Sequence, residues 1–388
     1  MKNLINILII TGVTLSSFTT LRIGFIGPSE LILLLAVLLI IISNRGLLLI
    51  KNNIFIWFWI IFLLSTCFST ILSFYYSGNL KEDMSSEVIA YLFTIVLIIS
   101  YYTHFLRLKK KEIDKLLYRF YIINSIIFVL IFIYSKIYKS ILGVKLYYGE
   151  RLSLFSENPH QLSLYIGVII LFGLLFINKP LLSLKNSIIF INSIVLINIG
   201  ISTLSTTFKV SLTISLIIIL VFTILNLISN KKTRYSVMAI FILVSMVAIL
   251  YIFIFHFEFI YNIFANDENG LGRIWLWSEA LKYSADNVFV GYGFGTVIEV
   301  ESNVIDTSEA HNILLDILLK AGILPAIIFV ILILYTLFKM RYHSIYLGMV
   351  LFVFTYSMAG FTLKRVILWF VIIILYILVT KSKNRIKV

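Results

Sequence analysis

The chain predicts an all-α polytopic membrane protein, and three observations carry that prediction. Hydrophobic residues fill 61% of the 388 positions and charged residues 13%, with a mean hydropathy of +1.05. That is far from the balance of a soluble domain. Apolar stretches near the length that crosses a bilayer as a helix, about 20 residues, recur from end to end. Cys67 is the one cysteine and lies in an apolar run, which excludes an internal disulfide and a cysteine-rich metal site. The expectation is a single integral domain, 1–388, with no metal-binding spacing.

Hydropathy predicts about twelve spans, at roughly 4–20, 26–43, 54–75, 86–106, 117–137, 161–177, 187–205, 207–228, 236–256, 310–338, 343–360 and 366–380. The first follows Lys2 and is shaped like a signal peptide, but no small-x-small cleavage site follows, so it is counted as a span. Lysine and arginine orient the set. With the N-terminus inside, 19 of the 32 fall in inner segments, among them Arg107, Lys109, Lys110 and Lys111. Both termini are therefore expected in the cytoplasm. The net charge of +14 is accounted for by these short connecting loops, so no nucleic-acid partner is expected.

The remaining long segment, 257–309, is predicted to be an external loop. It holds nine of the 18 acidic residues, against which stand only Arg273 and Lys282. Within it, Ile274, Trp277, Leu281 and Ala285 recur at helical spacing, while Glu279, Lys282 and Asp286 fall elsewhere. Trp275 and Trp277 suit an amphipathic helix lying at the membrane interface. Gly291-Tyr292-Gly293-Phe294-Gly295 lacks the lysine and preceding strand of a nucleotide loop and reads as a turn.

Several polar residues could carry chemistry. His311 is expected in the first turns of the tenth span, capped by Asp306, Thr307 or Ser308. There the helix N-terminus and nearby cations favour a neutral imidazole able to act as a general base. Its alternative is a satisfied interfacial histidine. Glu309, two residues away, is a reserve base. Arg273 follows Gly270 and Gly272 at a helix start, where backbone N–H groups already attract anions and a guanidinium adds a fork for phosphate. Lipid headgroups or a loop carboxylate are its competing partners. Lys209 enters the eighth span from its outer end, where a buried charge marks a site unless the side chain snorkels.

Asn158-Pro159 is a helix start signal leading into the sixth span. Arg151 and His160 face the same compartment as the long loop; Arg151 is a candidate anion ligand and His160 reads as structural. Lys364-Arg365 is a basic pair in an outer turn, against the positive-inside trend, and so a further candidate for a polyanion. Asp316 and Lys320, four apart, read as an intrahelical ion pair.

Taken together, Asn158-Pro159-His160-Gln161, Gly272-Arg273-Ile274-Trp275-Leu276-Trp277 with the later glycine-rich turn, and Ala310-His311-Asn312 before Ala321-Gly322 resemble the O-antigen polymerase and ligase superfamily. The resemblance covers most of the chain at the level of topology. It implies a multi-pass protein of the bacterial inner (cytoplasmic) membrane that uses undecaprenyl-diphosphate-linked glycans as donor and acceptor, without cofactor or metal. Membrane lipids, and a chain-length regulator, are the further partners it brings into view. It implies diphosphate binding by Arg273 and Lys209, and a base role for His311. One departure is evident: the family usually carries Ser-Arg near the start of the eighth span, where this chain has Thr207-Phe208-Lys209.

The activity so implied is a polymerase joining repeat units into O-antigen or capsular polysaccharide. The same constellation would serve a ligase passing glycan to lipid A-core or another acceptor. A polysaccharide or lipid transporter or flippase is the third reading, but the outlying cations gather at the outer ends and no internal repeat is evident.

Overall fold

A computed structural model of the chain describes residues 1–24, 26–46, 53–77, 84–177, 183–230, 232–233, 236–237, 240, 244, 247, 270–296, 298, 310–360 and 362–383. Among them lie thirteen α-helices. In chain order these are α1 (Lys2–Leu15), α2 (Pro28–Ser43), α3 (Ile54–Ser77), α4 (Met84–Arg107), α5 (Lys110–Ile137), α6 (Pro159–Leu174), α7 (Leu184–Ser202) and α8 (Thr206–Leu227). Then follow α9 (Gly270–Asp286), α10 (Ile313–Ala321), α11 (Ile323–Met340), α12 (Ser344–Ser357) and α13 (Val366–Lys383). Two short antiparallel hairpins separate α5 from α6: β1 (Ser140–Ile141) with β2 (Val144–Lys145), and β3 (Tyr147–Tyr148) with β4 (Arg151–Leu152).

Six helices, α3, α4, α5, α7, α8 and α11, are long and apolar enough to cross a membrane, and α1, α2, α6, α12 and α13 are shorter apolar helices. The chain is thus a helical, multi-pass membrane protein. Most of the span expected at 236–256 lies outside the described residues. The span expected at 310–338 is corrected: it is two helices, broken at Gly322. Gly322 sits at φ +80° as the cap shared by α10 and α11. A Cβ there would come within 2.3 Å of Phe289 O, so a side chain would be both strained and obstructed. Hydropathy passes over the break because Leu318, Leu319, Ile323 and Leu324 keep it apolar on both sides.

The centre of the assembly is α6 with α13. Residues Leu162–Gly173 of α6 and Ile367–Leu375 of α13 are buried throughout. Around them α12 packs on α8 and α6, α7 on α6, and α4 on α13. Small residues allow the close approaches, as they do in membrane bundles generally. Gly167 of α6 receives the ring of Phe352, and Gly200 of α7 receives that of Phe208 in α8. The second contact closes the α7–α8 turn. Larger side chains at these glycines would overpack the contact at a cost of about 1–3 kcal/mol.

Candidate functional site

The site is built on the first turn of α6. Asn158 caps that helix by accepting the N–H of His160 (2.8 Å), and Pro159 takes the first helical position, where its missing donor costs nothing. His160 is thereby set at the mouth of the helix. Its carbonyl accepts the hydroxyls of Ser163 (3.0 Å) and Tyr356, which anchors it to α12. Nearby, Ser205 caps α8 through Phe208 N–H, and its hydroxyl meets His160 Nδ1 at 2.9 Å.

Two arginines close on the other imidazole nitrogen. Arg273 Nη2 lies 2.9 Å and Arg151 Nη2 3.1 Å from His160 Nε2. A guanidinium can only donate, so Nε2 must present a lone pair and the proton must sit on Nδ1, donating to Ser205. Arg273 is 7% exposed and also donates to Thr207 Oγ1 at 3.3 Å. Arg151, in β4, directs Nε at the carbonyl of Thr203 (3.1 Å) at the end of α7. No carboxylate among the described residues forms a salt bridge with Arg151. Burial first, then the charges of Arg273 and Arg151, and then His311, push the His160 imidazole down to about 3. It is a neutral hub between two cations.

His311 stands on the flank of this cluster. Leu276 and Ala280 of α9 pack with Ala310, Leu319 and Ile298 in one apolar cluster. Arg273 lies one turn before Leu276 and His311 one residue after Ala310, and His311 is among the groups that act electrostatically on His160, which Arg273 contacts. The structure corrects the expected helical position of His311. Asn312 caps α10 by accepting the N–H groups of Leu314 (3.0 Å) and Leu315 (3.3 Å), so His311 precedes the helix. Its φ is +51°, a left-handed conformation that a non-glycine residue holds only at a cost of about 1–3 kcal/mol. The neighbours fix it there: Asp316 Oδ1 accepts Ala310 N–H at 2.7 Å. Asp306, Thr307, Ser308 and the reserve base Glu309 lie outside the described residues.

The other expected ligands are placed differently. Lys209 is exposed, among the described residues, on α8. At about 100° per residue it is rotated roughly 200° from Thr207, the residue that receives Arg273. Thr207, Phe208, Ser211, Leu212 and Ser215 form the buried face, so Lys209 turns away from the cluster, contrary to expectation. Lys364 is held by Glu87, Nζ to Oε1 at 2.9 Å. Arg365 reaches the residue after His160: with the Gln161 amide nitrogen donating to Thr19 Oγ1, its oxygen accepts Arg365 Nη2 at 2.6 Å. The pairing of Asp316 with Lys320 is also corrected, because Lys320 Nζ lies on Glu87 Oε1 at 2.5 Å.

The glycine-rich segment is a turn, and it closes the end of α10. Tyr292 N donates to Leu319 O (2.6 Å) and Gly293 N to Lys320 O (3.0 Å), which satisfies carbonyls that a helix end leaves open. The cluster also includes His160, which the sequence read as structural, and Ser205, which it did not single out. The signal for His160 was its place at the second position of a well-marked helix start.

Residues 191–330 match the Wzy_C family model, described as O-antigen ligase. No curated protein matches the chain. The matched segment carries Ser205, Thr207, Arg273 and His311, while Arg151 and His160 precede it. The match supports the O-antigen ligase and polymerase superfamily, a part in O-antigen or polysaccharide assembly, and a glycosyltransferase-like enzyme acting on lipid-linked glycans.

Proposed function

We propose that the chain is a glycosyltransferase of the extracytoplasmic membrane face that joins undecaprenyl-diphosphate-linked repeat units into an O-antigen or capsular polysaccharide. The observation that carries this reading is the meeting of Arg273 and Arg151 on one neutral imidazole, with His311 beside them. An uncharged acceptor orients both guanidiniums without cancelling their charge. Each planar fork suits phosphate oxygens, and an anion between them would relieve their mutual repulsion.

The reaction then follows from the placement. The oxygen of an acceptor sugar hydroxyl attacks the anomeric carbon of the donor glycan, and the hydroxyl proton passes to the His311 imidazole. The bond from that carbon to the diphosphate oxygen breaks, and its electron pair leaves with the lipid diphosphate. Negative charge grows on the leaving group as the bond lengthens, so Arg273 and Arg151 bind the transition state more strongly than the ground state. The activated donor supplies the driving force, and neither ATP nor a nucleotide sugar is required. Lys209 has no part in this arrangement; Arg365, beside Gln161, flanks it.

A ligase reading is favoured by one specific observation, the description of the matching family. It uses the same residues and differs only in the acceptor, lipid A-core or another molecule in place of a second repeat unit. Purified protein incubated with synthetic lipid-diphosphate-linked repeat units distinguishes the two. A ladder of increasing length is expected for a polymerase. A single glycan transfer that needs an added acceptor would replace that reading with ligation, and no transfer under either condition would overturn both.

A further inference from the structure

Glu87 has no place in the chemistry above, yet four segments of the chain meet on it. It lies in the first turn of α4 and is buried, with side-chain exposure of 3%. Oε1 accepts Lys320 Nζ of α10 (2.5 Å) and Lys364 Nζ of the turn before α13 (2.9 Å). Oε2 accepts Gly295 N–H from the glycine-rich turn (2.9 Å). Tyr91, one turn further along α4 and fully buried, sets its ring 5.8 Å from the Lys320 ammonium and 5.3 Å from that of Lys364. Burying charge is costly unless partners of this quality are supplied, and an ionisable cluster in a membrane protein marks a functional element by default.

What the cluster holds is α10. That helix is nine residues long, about 13 Å, and is fastened at both ends. At its start, Asn312 caps it and Asp316 Oδ1 grips Ala310 N–H, the two residues that bracket His311. At its end, Lys320 is drawn to Glu87, and the Leu319 and Lys320 carbonyls are taken by the turn that Glu87 also binds through Gly295. The Gly322 break separates α10 from α11, so these fasteners act together with the packing of α10 on α3 and α9 to set its position. We infer that Glu87 is a positioning residue: through Lys320 it fixes the height and rotation of α10, and so the left-handed pose of His311 beside the arginine pair. This rests on the proposed base role of His311, but the placement itself can be read without turnover.

The test is Lys320→Met, which leaves Glu87 and Lys364 as a neutral pair and so spares the core an uncompensated carboxylate. Two measurements are made on detergent-purified protein: transfer kinetics with a synthetic lipid-diphosphate-linked repeat unit, and the rate at which diethyl pyrocarbonate modifies His311, followed by mass spectrometry. The expected result is at least a threefold change in the His311 modification rate. Alongside it, kcat should fall tenfold or more while the donor KM stays within twofold, because the arginines are untouched. Lys320→Arg, which keeps a cation for the Glu87 carboxylate, should recover most of both values. An unchanged His311 rate overturns the inference, even if the variant melts earlier, and so does a rise in KM at constant kcat. Should the wild type transfer no glycan, the proposed function fails while the His311 rate still decides the positioning role.

Discussion

Arg151 and Arg273, 122 positions apart in the chain, donate to the same atom, Nε2 of His160, at 3.1 and 2.9 Å. Like charges approach this closely only where something holds them. The holders are His160 in the first turn of α6, the Thr203 carbonyl and Ser205 hydroxyl of the α7–α8 turn, and the Thr207 hydroxyl of α8. On the proposed reading the arrangement is a frame for an anion, and the consequences can be measured.

Arg273→Lys keeps the charge and loses the fork. An ammonium cannot serve His160 Nε2 and Thr207 Oγ1 in one plane while also presenting a donor pair to phosphate. Transfer assays should show kcat/KM reduced roughly a hundredfold, about 2.7 kcal/mol. A value within threefold of wild type would remove bidentate phosphate binding from this residue.

His160 supplies a pH signature. Its folded-state value of about 3 lies below the ordinary 6.5. Between those values the unfolded chain binds a proton that the folded chain refuses. Stability from this group is therefore fully present above about pH 6.5 and falls as pH drops toward about 3. Thermal unfolding of wild type and His160→Gln at about pH 7.5 and about pH 4.5 should show the larger acid loss in wild type. Equal losses would place the titration elsewhere.

Lys209→Ala should leave kcat/KM within about twofold, since the side chain lies on the face of α8 opposite Thr207. Loss of activity in well-folded protein would bring Lys209 back to the diphosphate.

Gly322→Ala places a methyl group 2.3 Å from Phe289 O at a φ of +80°. Backbone strain of this kind costs about 1–3 kcal/mol before the clash is counted. A lowered melting temperature is expected, together with reduced turnover, because α10 would shift. A neutral outcome would show that the break tolerates a side chain.

The positions of α3, α4, α5, α7 and α8 were legible because uninterrupted apolar runs between polar turns have one economical structure in a bilayer. The helix start at Asn158-Pro159 was equally legible from its capping chemistry. What hydropathy could not supply was rotation. Lys209 was expected near the start of α8, where it lies, but hydropathy alone does not say which way a side chain faces. Nor could it supply long-range partners. His160 read as structural because Ser205 and Arg273 stand 45 and 113 positions away. Glu87 drew no attention because Lys320 and Lys364 lie 233 and 277 positions distant. The Gly322 break was hidden by apolar residues on both sides. Arg273 and His311 drew attention as polar residues at the edges of apolar segments. Such a signal survives without knowledge of the fold.

The account stands on a division of labour, in which the arginine pair grips the lipid diphosphate and His311 takes the proton. The most direct measurement pairs donor binding with turnover in His311→Ala and in the double variant Arg151→Met, Arg273→Met, using a synthetic lipid-diphosphate-linked repeat unit. The account predicts that His311→Ala binds the donor like wild type and transfers no glycan, while the arginine variant binds at least tenfold more weakly. Wild-type polymer from His311→Ala, or undiminished donor binding after both arginines are removed, would contradict it.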